Sequence, residues 1–237
     1  MKTVAAGTRR PMITTDAERQ GGGMVRDIAM SNTEDTGSSA PVFLASRSPR
    51  RRELLDKHGI KHTAAHPGFD DAILEPGRCT PRQWVAALAY LKASAGLSKA
   101  GHGPIVLGAD TLCVKDGVML GTPHSAQEAS SILRSLSGGT HEVLTGVALI
   151  DTTTGRRHVF VDQARVHMGP LTEAMIEQYV ATGHWQGKAG GYNLRERLDA
   201  GWPITFEGDE GTIMGLPMRK LGDRLNALRA AGATGPM

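Results

Sequence analysis

From residue 41 onwards, short apolar runs alternate with longer segments whose apolar residues recur every three or four positions. The short runs are typical of buried strands, and the longer segments are typical of amphipathic helices. Strands are predicted at 42–46, 62–69, 105–108, 111–114, 143–151, 158–166, 188–194 and 204–206. Helices are predicted at 49–58, 81–98, 125–135, 172–181 and 217–231. Because tight turns join some neighbouring strands, the pattern predicts an α/β fold with a mixed sheet flanked by helices.

Polar residues at the ends of these segments support the assignment. Thr80 precedes the second helix as a predicted N-cap, and Ser125 with Glu128 three residues later forms a predicted capping box. Asp116-Gly117 predicts a tight hairpin turn between two strands.

Residues 1–40 differ from the rest of the chain. They contain a Gly-Gly-Gly run at 21–23, a polar stretch at 31–39 and no sustained apolar period. This composition predicts a disordered tail followed by one domain over 41–237. Met24 and Met30, just upstream of that domain, are candidate alternative starts.

Composition narrows the classes of function. The 237 residues are 40% hydrophobic and 22% charged, with a net charge of +3, which is ordinary for a soluble globular protein with a mild preference for anions. No apolar stretch approaches the ~18 residues of a membrane span, and no secretory signal precedes the domain. Only 4% of the residues are aromatic and no nucleic-acid motif is present, so stable nucleic-acid binding is not expected. Cys79 and Cys113 lack metal or redox spacing, which favours a reduced, cytoplasmic location.

The Ser–Arg loop, residues 44–55 (LASRSPRRRELL), joins the first strand to the first helix. Ser48 is the predicted N-cap, with Pro49 at the first helical position. A helix N-terminus carries about half a positive charge, so added cations are unfavourable there unless an anion binds. A solvated helix start is the alternative interpretation. Four arginines crowd this end: Arg47, Arg50, Arg51 and Arg52.

Acidic residues follow two of the predicted strands. Asp110 comes after a short apolar strand and is a candidate general base or metal ligand, although a turn cap is an alternative. Asp70 and Asp71 form a second acidic pair that can share Mg²⁺, or else a solvated turn.

One lysine interrupts the apolar face of the second helix. Lys92 is in phase with Val85 and Leu88, so it points inward or to a cleft edge and needs an anionic partner there. A lysine that snorkels at the core margin is the alternative. The glycine-rich loop 187–192 permits close approach to a ligand but is weak evidence on its own.

Seven segments in order resemble the Maf family of nucleoside triphosphate pyrophosphatases, and together they cover nearly all of residues 41–230. They are LASRSPRRRELL (44–55), FDD (69–71), LKA (91–93), GADT (108–111), LSGGTHEVLTGVAL (136–149), GKAGGY (187–192) and GLPM (215–218).

The resemblance implies a mixed α/β fold of the Maf and inosine triphosphatase-like type with a deep central cleft. It also implies hydrolysis of a nucleoside triphosphate between the α- and β-phosphates, with dependence on a divalent cation such as Mg²⁺ or Mn²⁺. Such an enzyme removes non-standard nucleotides from the pool and often forms a homodimer. A catalytically weakened nucleotide-binding protein linked to cell division is the alternative.

The resemblance also implies roles for individual residues. Asp110 matches the general base, Asp70 an essential acid that is usually Glu, and Lys92 a helix lysine; both acids are candidate metal ligands. The positions that match substrate-binding residues are Ser46, Ser48, Arg50, Arg51 and Thr111.

Two positions depart from the family pattern. Thr122 stands where the family has the lysine of Gly-Lys-Pro, and the loss of such a phosphate contact can cost on the order of 10²–10³ in rate. Lys188 or Arg195 could substitute for it. Arg195 also replaces a glutamine typical of the dTTP/UTP type, whereas Arg50 and Thr111 fit that type. The expected substrate is therefore dTTP, UTP or a modified pyrimidine triphosphate.

Overall fold

The computed structural model describes residues 40–70, 73–99 and 103–233. The predicted tail lies outside these ranges except for Ala40, and so does Asp71 of the acidic pair. The predictions for those residues therefore stay predictions.

Seven strands and seven α-helices form the described part of the chain. The strands are β1 (Val42–Ala45), β2 (His62–Ala65), β3 (Ile105–Lys115), β4 (Val118–Leu120), β5 (Gly139–Asp151), β6 (Arg157–Met168) and β7 (Ile204–Glu207). The helices are α1 (Pro49–Lys57), α2 (Pro81–Gly96), α3 (Ala126–Leu136), α4 (Glu173–Ala181), α5 (Leu194–Asp199), α6 (Glu210–Met214) and α7 (Met218–Ala233). Short 3₁₀ turns occur at Leu97–Lys99 and Ala189–Gly191.

The strands form one mixed sheet in the order β2-β1-β3-β5-β6-β7, with β4 paired to β3. β1 is parallel to β2 and β3, while the pairs β3–β5, β5–β6 and β6–β7 are antiparallel. The predicted α/β class with a mixed sheet is therefore confirmed.

Helices cover both faces of this sheet. On one face Leu107 packs in a cluster with Leu221 of α7, and on the other Val106 packs with Ala89 of α2. Successive residues of a strand point to opposite faces of the sheet. Because β3 begins with apolar residues at every position, both of its faces are buried under helices. Within the described ranges, no helix is long and apolar enough to cross a membrane.

Glycines in the sheet allow α2 to lie unusually close to it. A Cβ atom on Gly108 would lie 2.3 Å from the Ala89 carbonyl oxygen, and one on Gly146 would lie equally close to another α2 carbonyl, 2.3 Å. Only glycine leaves room for this contact. The close packing brings Lys92 of α2 opposite Asp110 of β3.

Several sequence-based boundaries differ from the structure, among them the strand predicted at 62–69, which ends at Ala65. The strand predicted at 188–194 is a 3₁₀ turn followed by the start of α5, because Gly190 (φ 69°) and Gly191 (φ 74°) adopt left-handed conformations that a strand does not permit. The run predicted at 111–114, which was expected either to continue the strand at 105–108 or to re-enter the sheet, continues it as one long β3. Helices α5 and α6 were missed, although Asn193 and Asp209 cap them through their side chains.

Candidate active site

A cleft of about 790 Å³ opens between the Ser–Arg loop, the middle of β3 and the glycine-rich loop. All the predicted site residues except Asp70 line it: Ser46, Ser48, Arg50, Arg51, Lys92, Asp110, Thr111, Lys188 and Arg195. Arg47 lines it too, while the carboxylates in its lining are Glu53, Asp110, Glu196 and Asp199. Cations therefore outnumber carboxylates among the lining residues, which favours a polyanionic ligand.

The start of α1 faces this cleft with its backbone N–H groups free of side-chain caps. Ser48 is the N-cap and Pro49 the first helical residue, as predicted, but the Ser48 side chain makes no capping hydrogen bond. The first turn of α1 also contains no acidic residue. An anion can therefore bind these amide groups without displacing a carboxylate of the same turn.

Arg51 is buried and connects three parts of the cleft wall. Its Nε donates to the Gly215 carbonyl at 3.0 Å, Nη1 to Ser46 Oγ at 3.2 Å and Nη2 to Thr111 Oγ1 at 3.0 Å. Arg51 thus joins α1 to β3 and to the loop after α6. This internal role was not anticipated from the sequence, where Arg51 was expected only to contact the triphosphate.

The hydroxyl of Ser46 is prepared to donate a hydrogen bond. Its oxygen accepts from Arg51 Nη1 and from the Ser48 backbone N–H, each at 3.2 Å. A hydroxyl has two lone pairs and one hydrogen, so both acceptor sites are occupied and the hydrogen is left for a further acceptor. Because Ser46 lines the cleft, a phosphate oxygen suits this position.

Arg50 reaches from α1 towards the glycine-rich loop. Its Nη2 donates to the Gly187 carbonyl across 3.4 Å, a long hydrogen bond that a ligand can displace. Burial lowers the pKa of Arg50, while Glu196 and Glu53 act in the opposite direction. Arg50 is thus a partly desolvated cation at the cleft surface. Arg52, in contrast, is exposed and lies outside the lining, as expected for a solvated residue.

Asp110 and Lys92 form an ion pair in the cleft. Lys92 Nζ lies 2.6 Å from Asp110 Oδ1, and both side chains are only 15% exposed. The prediction that Lys92 points inward to an anionic partner is confirmed, and the snorkelling alternative is wrong. The contact with the ammonium group holds the carboxylate of Asp110 in one orientation.

Asp70 is the one predicted site residue that is not among the residues lining the cleft. It is exposed, and the described lining of the cleft includes its neighbour Phe69 but not Asp70 itself. The described ranges contain no group of three or more His, Cys, Asp or Glu side chains suited to a metal ion. Mg²⁺ often binds through one or two carboxylates together with substrate phosphates. Asp110 fits this kind of site, and the described residues do not form a cage made by the protein alone.

The two cations expected to compensate for Thr122 already have carboxylate partners. Lys188 Nζ lies 2.5 Å from Glu196, and burial lowers the pKa of Lys188 while Glu196 raises it. Arg195 forms two hydrogen bonds of 2.6 Å to Glu210. Neither the Lys188–Glu196 pair nor the Arg195–Glu210 pair was predicted from the sequence.

The buried side chains of Tyr192 and His141 form a hydrogen-bonded pair at the end of the glycine-rich loop. Tyr192 lines the cleft, and its hydroxyl lies 2.7 Å from His141 Nε2. His141 is 2% exposed, and its Nδ1 has no hydrogen-bond partner among the described residues. Burial, with a contribution from Lys115, lowers the pKa of His141 to about 4. His141 is therefore neutral near pH 7.

This buried histidine predicts a loss of stability on acidification. Its pKa rises from about 4 in the folded chain to 6.5 in the unfolded chain, so the unfolded state binds the proton more tightly. The stability contributed by neutral His141 is complete above pH 6.5 and falls as the pH decreases towards 4. We expect the free energy of unfolding to drop by about 2 kcal/mol between pH 7.5 and pH 5 from this residue alone.

Urea unfolding at both pH values measures this effect. His141→Gln should remove most of the difference between the two pH values, whereas His184→Gln, at an exposed position, should leave it unchanged. An undiminished difference in His141→Gln would assign the pH dependence to other groups.

Comparisons with known proteins find relatives over most of the chain. A family model described as Maf-like protein matches residues 41–228. A dTTP/UTP pyrophosphatase of Alkaliphilus metalliredigens is 38% identical over 185 residues, which cover 78% of this chain and 94% of the relative. A dTTP/UTP pyrophosphatase of Alkalilimnicola ehrlichii is 41% identical over 182 residues (75% and 87%), and one of Pelotomaculum thermopropionicum is 39% identical over 184 residues (78% and 94%).

Proposed function

The chain belongs to the Maf family, and we propose that it hydrolyses dTTP and UTP to the nucleoside monophosphate and pyrophosphate. The observation that carries this function is the Asp110–Lys92 pair, which lies in a cation-rich cleft together with the uncapped start of α1. The relatives are named as enzymes, and this does not favour the alternative of a catalytically weakened binding protein.

In this proposal, some cleft residues bind the triphosphate and another accepts the proton. The triphosphate binds the amide groups of the first turn of α1, the Ser46 hydroxyl and the cations Arg50 and Lys188. Asp110 accepts a proton from the attacking water. A new bond forms between the water oxygen and phosphorus, the anhydride bond between the α- and β-phosphates breaks, and pyrophosphate leaves with the electron pair.

A divalent cation, Mg²⁺ or Mn²⁺, completes this proposal. Asp110 would hold it together with the substrate phosphates, and the exposed Asp70 is the second candidate ligand. When bound, the cation neutralises charge on the phosphate oxygens. The residues of the chain then position the triphosphate and receive the proton.

A nucleotide panel tests the proposed activity and the base preference together. Pyrophosphate release should be fastest with dTTP and UTP, should stop when EDTA removes the divalent cation and should return with Mg²⁺ or Mn²⁺. CTP, ATP and GTP serve as controls. Equal rates with all five nucleotides would contradict the preference for dTTP and UTP, and no pyrophosphate from any of them would contradict the activity.

Glu196 is expected to weaken phosphate binding. Its carboxylate lies 2.5 Å from Lys188 Nζ and raises the pKa of Arg50. It therefore competes with an anionic ligand for both cations. Because Glu196 is 41% exposed, solvent screens much of this effect. We expect Glu196→Gln to tighten pyrophosphate binding by about fivefold.

Calorimetric titration with pyrophosphate measures this change. Glu177→Gln, at an exposed position on α4, is the matched control and should bind pyrophosphate like the unmodified protein. Weaker binding by Glu196→Gln would mean instead that Glu196 serves to hold Lys188 in place.

A cytoplasmic location, homodimer formation and a role in nucleotide pool sanitation stay predictions from the sequence. Soluble nucleotides are the natural substrate of such a cleft, and this supports a cytoplasmic site of action.

A further inference from the structure

A continuous series of hydrogen bonds leads from Arg51 away from the cleft into the interior. Arg51 Nη2 donates to Thr111 Oγ1 at 3.0 Å, and Thr111 Oγ1 lies 3.0 Å from Thr145 Oγ1. Thr145 Oγ1 in turn donates to the Thr212 carbonyl at 2.7 Å. Thr145 and Thr212 are completely buried, so the bond between them is shielded from water, while Thr111 lies at the cleft wall.

The direction of every bond in this threonine chain follows from the number of hydrogens. Thr145 has one hydroxyl hydrogen, and the Thr212 carbonyl can only accept, so that hydrogen is used there. In its contact with Thr111, Thr145 must therefore accept and Thr111 must donate. Thr111 then accepts from Arg51, which has no acceptor of its own. Thr111 can serve both neighbours only in this one orientation of its hydroxyl.

The far end of the threonine chain is anchored by a carboxylate. The Thr212 hydroxyl donates to one oxygen of Asp162, and Lys220 donates to the other. Burial raises the pKa of Asp162, but the hydrogen bonds from Lys220 and Thr212 outweigh it and lower the pKa overall. Asp162 is thus an ionised carboxylate that holds α6, and with it the carbonyl that Thr145 contacts.

We propose that Thr145 is a positioning residue for the reaction. It holds the Thr111 hydroxyl, which holds the Arg51 guanidinium, and Arg51 in turn directs the Ser46 hydroxyl into the cleft. A threonine in the otherwise apolar run of β5 would be costly to bury without such bonds. This inference rests on the proposed function, because its consequence is the arrangement of the phosphate-binding groups.

Two substitutions test the proposal by changing either the hydroxyl group or the methyl group of Thr145. Thr145→Val keeps the size of the side chain and removes the hydroxyl, whereas Thr145→Ser keeps the hydroxyl and removes a methyl group. Valine removes the acceptor that fixes the direction of the Thr111 hydroxyl, and one such loss corresponds to about a tenfold to hundredfold effect. We expect KM for dTTP to rise by about that factor in Thr145→Val, with kcat changed by less than about threefold.

Thr145→Ser should keep KM within about threefold of the unmodified protein, although the lost methyl group lowers its thermal stability. A merely structural role predicts instead that KM rises in both variants in proportion to their loss of thermal stability. That result, or an unchanged KM in Thr145→Val, would overturn the proposal.

Pyrophosphate binding separates this proposal from the proposed function. If the unmodified protein released no pyrophosphate from dTTP, the function would fail, yet calorimetry with pyrophosphate would still report on the cleft. Weaker binding by Thr145→Val than by Thr145→Ser would support the positioning role. Equal binding by the two variants, or no binding by any of the three proteins, would overturn it.

Discussion

Asp110→Asn is expected to lower kcat/KM for dTTP by about 10²- to 10⁴-fold, the usual contribution of a general base. Asparagine has nearly the shape of aspartate but cannot accept the proton of the attacking water. It also loses the charge that pairs with Lys92 at 2.6 Å. Steady-state kinetics with saturating Mg²⁺ measures the change, and far-ultraviolet circular dichroism verifies that the variant is folded.

Asp116→Asn is the matched control for this substitution. Asp116 lies in the turn after β3, is exposed and adopts a positive φ of 51°, a conformation that asparagine accepts readily. Its kcat/KM should equal that of the unmodified protein. Asp110→Asn that retained more than about a tenth of the activity would show that another group removes the proton.

Arg51→Ala is expected to abolish activity and to destabilise the protein. The substitution removes three hydrogen bonds and leaves Ser46, Thr111 and the Gly215 carbonyl without their partner. Loss of a buried network of this kind costs about 3 kcal/mol, so the free energy of unfolding in urea should fall by that amount. The Ser46 hydroxyl also loses the bond that directs its hydrogen to the cleft.

Two further variants test whether the effect of Arg51→Ala depends on the position of this arginine in α1 and on the geometry of its guanidinium group. Arg52→Ala alters the exposed next residue of α1 and should change stability by less than about 0.5 kcal/mol. Arg51→Lys keeps the charge but cannot make three divergent hydrogen bonds in the plane of a guanidinium group, so most of the activity should still be lost. Near-normal kcat/KM in Arg51→Ala would contradict the role assigned to this residue.

The two members of the central ion pair could each be predicted as site residues because their determinants are local. Lys92 falls on the apolar stripe of α2 by helical periodicity, and Asp110 follows an apolar run of strand residues. Both patterns depend on neighbours only a few residues away, which periodicity detects. Their meeting required one more fact, the close packing of α2 on Gly108, which the residue pattern alone does not contain.

The internal role of Arg51 could not be predicted in the same way. Its carbonyl acceptor, Gly215, lies 164 residues away in the sequence, so no local pattern connects them. The same is true of the pair formed by Arg195 and Glu210, where an arginine expected to face the substrate binds a carboxylate of α6 instead. Side chains on short helices meet through tertiary packing, which also explains why α5 and α6 were missed.

Thr122 shows how such contacts change the interpretation of the cleft. Its turn lies against the glycine-rich loop, since the Gly190 N–H donates to the Gly121 carbonyl at 3.1 Å. Lys188 belongs to the same loop and is buried, so it is better placed than the exposed Arg195 to take over phosphate neutralisation. Its partner Glu196 would then have to yield to the phosphate.

The identity of the products tests the central claim most directly. The purified protein is incubated with dTTP and Mg²⁺, and the products are separated by anion-exchange chromatography. Cleavage between the α- and β-phosphates predicts dTMP and pyrophosphate in equal amounts, with neither product formed by Asp110→Asn at a comparable rate. Accumulation of dTDP and orthophosphate would contradict the proposed reaction.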